Sequence, residues 1–188
     1  MARMETKVHQ AADNFKNKDF LFDVIRRCQD GDTEAMETVY TGYKSSIFNV
    51  AYRFSGSRAS AEDLMQEIFI KVFTQINKLR SLEAFNSWFY RIATHTCISF
   101  TRKRGRLSEI PNEKIEEAPS PNNDMTAIKQ DLEQAINILP PKQKMVFILH
   151  DVQGFTHMEI AKIMKLRQGT CKSQLFKARM KLREYLME

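Results

Sequence analysis

Residues Thr156–Arg179 read THMEIAKIMKLRQGTCKSQLFKAR. Thr156 and Glu159 have the spacing of a capping box, which predicts a helix starting just after Thr156. Ile160, Ala161, Ile163 and Met164 give that helix an apolar side. Lys165-Leu166-Arg167 reads as a turn, and a second helix is predicted over Gln168–Met187. Its apolar residues Cys171, Leu175, Ala178 and Leu182 recur at spacings of three and four, so one stripe faces inward. Lys172, Ser173, Phe176, Lys177 and Arg179 fall largely off that stripe. Between Ile160 and Arg183 there are eight Lys or Arg and no Asp or Glu. A short amphipathic helix, a turn and a cation-loaded helix make a helix-turn-helix. Its second helix suits a major groove, where its cations neutralise phosphates. A charge run alone would equally describe a solvated helix in an ordinary bundle. The capping box, the spacing and the cation excess together favour DNA.

Working outward, Pro140-Pro141 suits a first helical turn, where a missing amide donor costs little. Met145, Val146, Ile148 and Leu149 supply a core side for that helix. Before it, residues 105–124 read GRLSEIPNEKIEEAPSPNND, with three of the five prolines and five acids against two bases. That composition predicts a flexible acidic linker. Upstream of the linker nearly everything reads as helix. Segments are predicted over Phe20–Gln29, Thr33–Phe54, a stretch capped by Ser60, and Ser87–Arg104, with a loop over Asn77–Asn86. The third carries Leu64, Ile68, Val72 and Ile76 on one face. No strand alternation stands out. The expected fold is all-α: an arm at 1–18, a helical domain at 19–104, the linker at 105–125 and a helix-turn-helix domain at 126–188.

Global properties agree. The net charge of +6 and pI near 9.2 favour a polyanionic partner. Cys28, Cys97 and Cys171 are odd in number and far apart, which suits reduced structural cysteines. With His9, His95, His150 and His157 they make no metal-ligand spacing, so neither metal nor cofactor is expected. No apolar run reaches membrane length, and MARMETKVHQ is not a signal region, so a cytoplasmic location without membrane insertion is expected. A second cationic stretch lies at Ala84–Ser108, which holds no acid. Arg91, Arg102, Lys103, Arg104 and Arg106 stand there beside Phe85, Trp88, Phe89, Tyr90 and Phe100. Cations beside aromatics suit unstacked bases; aromatics of this kind are also ordinary core residues.

Four motifs in order carry a family resemblance: Gly31-Asp32-Thr33-Glu34-Ala35 with Tyr40 and Tyr43; Ala61–Phe73, AEDLMQEIFIKVF; Phe85–Arg104, FNSWFYRIATHTCISFTRKR; and Leu139–Leu186. Together they resemble bacterial sigma factors of the extracytoplasmic-function (ECF) type. The resemblance implies a non-enzymatic initiation factor whose partners are core RNA polymerase (the β′ clamp helices and the β subunit) and promoter DNA, with an anti-sigma factor as a further partner common in the family. It implies that Asp63, Gln66, Glu67 and Lys71 dock on polymerase. It implies that Asn77, Leu79 and Asn86 of the loop, with Thr94, His95, Ser99 and Arg102 of the next helix, meet the −10 element. Arg167, Lys172, Ser173, Phe176 and Lys177 would meet the −35 element. His95 and Ser99 stand where many members have Asn and Asp. Lys165 stands where a turn glycine is common, and Arg167 replaces a frequent Ser cap. Two other readings compete: a stand-alone helix-turn-helix regulator, which would need dimer symmetry or a ligand site, and a sigma-like interaction protein without promoter contacts.

Overall fold

The computed structural model of the chain describes residues 17–107 and 124–187. The arm and the acidic linker lie almost wholly outside them. All regular structure among the described residues is helical. The first group is α1 (Lys18–Gln29), α2 (Thr33–Ser55), α3 (Arg58–Gln75), two single 3-10 turns (Ile76–Lys78 and Leu82–Ala84) and α4 (Phe85–Leu107). The second is α5 (Asp124–Asn137), α6 (Pro141–Phe147) running into a π turn (Ile148–Val152), α7 (His157–Met164) and α8 (Gln168–Met187).

Local chemistry sets the boundaries. Asn17 caps α1 through its side-chain oxygen, and Asp32 caps α2 by accepting from the amides of Glu34 at 2.9 Å and Ala35 at 3.2 Å. Arg27 Nε donates to Asp32 at 2.7 Å and, with those amides, holds the carboxyl below its ordinary range. Gly56 ends α2 at φ +76°, a left-handed position that glycine adopts without strain. The cap of α3 is Ser57, whose hydroxyl accepts from Ser60 N at 3.2 Å. The sequence expectation that Ser60 caps this helix is therefore corrected. A β/extended Ser three residues earlier offers the same capping chemistry, and α3 gains its first turn from it.

The α3 stripe of Leu64, Ile68, Val72 and Ile76 is buried as expected. Full burial of side chains of this size contributes about 1.5–3 kcal/mol each. The expected loop at Asn77–Asn86 is more ordered than its composition suggests. Its two 3-10 turns are anchored by Gln29 Nε2, which donates to the carbonyls of Ile76 at 3.1 Å and Leu79 at 3.0 Å.

One apolar core runs from Leu21 through α2, α3 and α4 into Met145, Val146, Ile148, Leu149, Ile160, Ile163, Cys171 and Leu175. The two helical groups therefore pack on each other. Polar contacts reinforce the junction. Lys144 Nζ, on α6, donates to the Phe54 carbonyl at 2.9 Å and to Asn137 Oδ1 at 2.7 Å. Arg53 pairs with Glu133. Ser46 Oγ donates to Gln153 Oε1 at 2.5 Å and receives a hydrogen bond from the Tyr90 hydroxyl. Tyr90 meets Phe155 edge-on at 4.6 Å. Gly56 lies so close to Asn137 that a Cβ would come within 2.9 Å of its side chain. A smaller cluster of Ala135, Ile136, Leu139, Ala178 and Leu182 ties α5 to α8.

Candidate nucleic-acid interface

The helix-turn-helix forms as its sequence predicts. Thr156 caps α7, accepting from Glu159 N at 3.3 Å, while the Glu159 carboxylate accepts from Thr156 N at 2.8 Å. The Thr156 hydroxyl and amide hold that carboxyl below its usual range. Lys165 closes α7 at φ +53°, the one non-glycine residue with positive φ among those described. A left-handed conformation costs an L-residue roughly 1–2 kcal/mol, so the turn has the geometry of a glycine cap with a cation in its place. Ile160 and Ile163 of α7 and Cys171, Leu175 and Ala178 of α8 bury the inner faces.

That packing leaves the outer face of α8 in solvent. Arg167, Lys172, Ser173, Phe176 and Lys177 are all exposed, and Phe176 keeps 67% of its surface accessible. A large aromatic held out among cations is an unusual use of apolar area. It fits contact with a thymine methyl, while lysine fits guanine or phosphate. Beside it lies a clasp that sequence reasoning missed. Arg179 donates from Nε and Nη2 to the two Asp151 carboxylate oxygens at 2.9 and 2.6 Å. His150 Nδ1 lies 2.7 Å from the same carboxylate. Burial pushes the Asp151 carboxyl up, but Arg179 and His150 outweigh it and leave it lowered. A pair 28 residues apart in sequence leaves no local signal.

On α4 the outcome is divided. His95 and Arg102 are exposed and Ser99 is half-buried. Thr94 is 2% exposed. Helix α7 packs along α4, and Arg91 Nη2 donates to the Lys162 carbonyl at 3.1 Å, one turn from Thr94. Thr94 is therefore not presented to DNA here; the expectation that it faces solvent is corrected. Leu79 is corrected likewise: it is 7% exposed, drawn into the core as the 3-10 turns fold under α1. Asn77 and Asn86 are exposed, and Asn86 Oδ1 accepts from the Tyr43 hydroxyl. Phe85, Phe89 and Tyr90 belong to the core, so they are not available to stack on bases.

On α3, Asp63, Gln66 and Glu67 are exposed together. Lys71 is half-buried, donating to Glu67 at 2.5 Å and Thr96 Oγ1 at 3.2 Å. Next to them lies a groove of about 460 Å³ lined by Tyr40, Glu62, Met65, Gln66, Phe69, Ile70 and Phe73. Ile70 is 56% exposed, the one sequence signal for this groove: an apolar residue on a polar face. The three cysteines are buried and free, and burial pushes the Cys97 thiol up to about 12. Among the described residues no group of His, Cys, Asp and Glu could hold a metal, and no helix is long and apolar enough to cross a membrane.

Comparison with known proteins decides the family. The family models described as Sigma-70 region 2 and Sigma-70, region 4 match residues 39–107 and 129–182. The ECF RNA polymerase sigma-E factor of Haemophilus influenzae is 30% identical over 174 residues, covering 83% of this chain and 89% of that one. The chain belongs to the ECF family of RNA polymerase sigma factors. As such it is a DNA-binding factor that acts in promoter recognition at transcription initiation. The ECF sigma factor SigE of Mycolicibacterium smegmatis is 31% identical over 83% of this chain, which spans 64% of that relative's length. Among solved structures, the sigma factor RpoE in complex with the anti-sigma factor NepR from Bartonella quintana matches with a TM-score of 0.66. That match is 27% identical and covers 80% of this chain and 96% of that one. CnrH in complex with the cytosolic domain of CnrY shares the fold, with a TM-score of 0.68 at 14% identity over 88% of this chain and 96% of that one.

Proposed function

We propose that this ECF factor is a cytoplasmic protein that binds core RNA polymerase and reads a promoter at two places. Residues 126–188 read the −35 element through Arg167, Lys172, Ser173, Phe176 and Lys177 of α8 and its turn. Residues 19–104 dock on the β′ clamp helices through Asp63, Gln66, Glu67 and Lys71, beside the apolar groove at Ile70. The same block meets the −10 element through Asn77, Asn86, His95, Ser99 and Arg102. The observation that carries this proposal is the exposed α8 face, with Phe176 at 67% exposure among cations on a helix braced by a capped partner. An anti-sigma factor is a further proposed partner, supported by the RpoE structure, a complex with the anti-sigma factor NepR.

The test is in vitro transcription with purified core polymerase and a genomic fragment library. Promoter-specific transcripts are expected, and Lys177→Ala should weaken −35 binding by about 1–3 kcal/mol. Glu67→Ala should weaken polymerase capture and leave α8–DNA affinity unchanged. Absence of specific transcripts from the folded protein would reject the proposal.

A further inference from the structure

The π turn and the start of α7 bring two histidines together at the edge of the α8 face. Gly154, at φ +77°, turns the chain between them, and the rings of His150 and His157 lie 4.5 Å apart. His150 Nδ1 is 2.7 Å from Asp151, which also accepts both Arg179 hydrogen bonds. An ionised carboxylate only accepts, so Nδ1 of His150 carries its proton there. The charged and titratable groups that act on His157 are His150 and Asp151 of the π turn and Lys172 and Arg179 of α8. Glu159, the acid in the first turn of α7, is committed to Thr156. Arg91 of α4 reaches α7 at the Lys162 carbonyl, more than a turn beyond His157. Asp151 is thus the one acid among the groups acting on His157, and it is already paired. We propose that His157, packed against His150, is a proton-coupled contact for a duplex phosphate, so that DNA affinity is tuned by pH at this corner of the helix-turn-helix. The proposal rests on the assignment of the α8 face to DNA.

The surroundings of His157 set both halves of the device. Burial first, then the charges of His150, Lys172 and Arg179, hold its imidazolium below the ordinary range. Its place at the first position of α7 adds the positive end of the helix dipole. The free protein therefore keeps this ring neutral near neutral pH. A phosphate reverses the charge effects. It neutralises Lys172 and Arg179, suits the helix N-terminus and gives an imidazolium an anionic acceptor. The bound ring then holds its proton at a pH where the free ring has lost it. Affinity must rise as pH falls through the raised, bound value and level off below the free one. A lysine at this position would attract phosphate at every pH. A histidine among cations does so only when a proton is supplied. Lys172 stands on the proposed reading face and acts on His157, which puts the sensor at the border of that face.

The test measures binding of the full-length chain to a short fluorescent duplex of mixed sequence, because phosphate contacts carry no sequence information. Anisotropy is followed at about pH 8 and about pH 6, a span in which imidazole changes charge while Asp151 stays ionised. Affinity is expected to rise about tenfold toward the lower pH, the change that one pKa unit of linkage produces. Its dependence on log salt should steepen by about 0.9, as one further phosphate contact requires. Proton NMR of the imidazole should show a higher His157 pKa with duplex than without. His157→Gln should flatten both binding trends. His157→Lys should bind at about pH 8 as tightly as the parent does at about pH 6. Lys177→Ala should weaken binding at both pH values and keep the trend, which separates the sensor from the reading face. An unchanged His157 pKa, or the same pH trend in the parent and His157→Gln, overturns the proposal and leaves the α8 assignment standing. Failure of the folded parent to bind duplex at either pH overturns both.

Discussion

The two cationic helices α4 and α8 are alike in sequence and opposite in structure. Both carry arginines and lysines beside aromatics, and α4 has no acid from its start through Ser108. On α8 the exposed aromatic is Phe176, at 67%. On α4, Phe85 and Phe89 are fully buried, Thr94 is nearly so, and Arg91 donates to an α7 carbonyl. Charge and aromatic content therefore do not say whether a surface is free. The difference comes from neighbours: α8 packs only against α5, α6 and α7 of its own group among the stronger helix contacts, whereas α4 packs against α2 and α3 of its own group and also against α6 and α7 of the other.

The largest expected effect breaks the brace. Ile163 is fully buried in the core that joins the two groups. Ile163→Ala should destabilise the protein by about 2–5 kcal/mol, measured by urea unfolding, because it leaves a cavity as well as losing apolar burial. Its α8–DNA affinity and its α4 covering should fail together. Loss of one without the other would show that the two faces are independent.

An intermediate effect concerns Lys144. Burial lowers its ammonium to about 8 from 10.5, against the opposing charge of Glu133. In the unfolded chain the amine returns to its ordinary value, so the unfolded chain binds the extra proton. Folding stability should therefore rise as pH rises from about 8 toward 10.5. Below 8 both states hold the proton and this pH dependence vanishes. The free energy of urea unfolding should rise across that window relative to Lys144→Met, in which the trend should flatten. No difference in pH trend between the two proteins would contradict this reading of Lys144.

The smallest effect lies in the turn. Lys165→Gly should relieve left-handed strain and stabilise the protein by up to about 1 kcal/mol, after the added flexibility of the unfolded chain is subtracted. If Lys165 also touches phosphate, DNA affinity should fall while the melting temperature rises. An unchanged affinity would confine the residue to its structural role.

Where information is local, the sequence is legible. The Thr156–Glu159 box, the inward stripe of α8 and the buried stripe of α3 depend on neighbours within a turn or two, and each forms as expected. Ser60 reads as a cap, yet Ser57 offers the same oxygen three residues earlier and takes the role. Leu79 reads as a surface residue because a short polar loop hides its anchors, and those come from Gln29, fifty residues away. Thr94 requires the most remote information. The packing of the two helical groups on each other rests on contacts such as Ser46 with Gln153, 107 residues apart, which no periodicity encodes. The groove at Tyr40 and Phe73 is visible only through exposed Ile70, since its other apolar walls read as core and its polar ones, Glu62 and Gln66, as ordinary surface.

The most direct measurement is the distance between spin labels placed at exposed Asp23 on α1 and Arg183 on α8 in the full-length chain. It is taken first in the free protein and then with core polymerase. One narrow distance in the free protein that changes on adding polymerase is predicted, because the two helical groups share one core. A broad distance in the free chain, or one unchanged by polymerase, would contradict the difference drawn between the two faces.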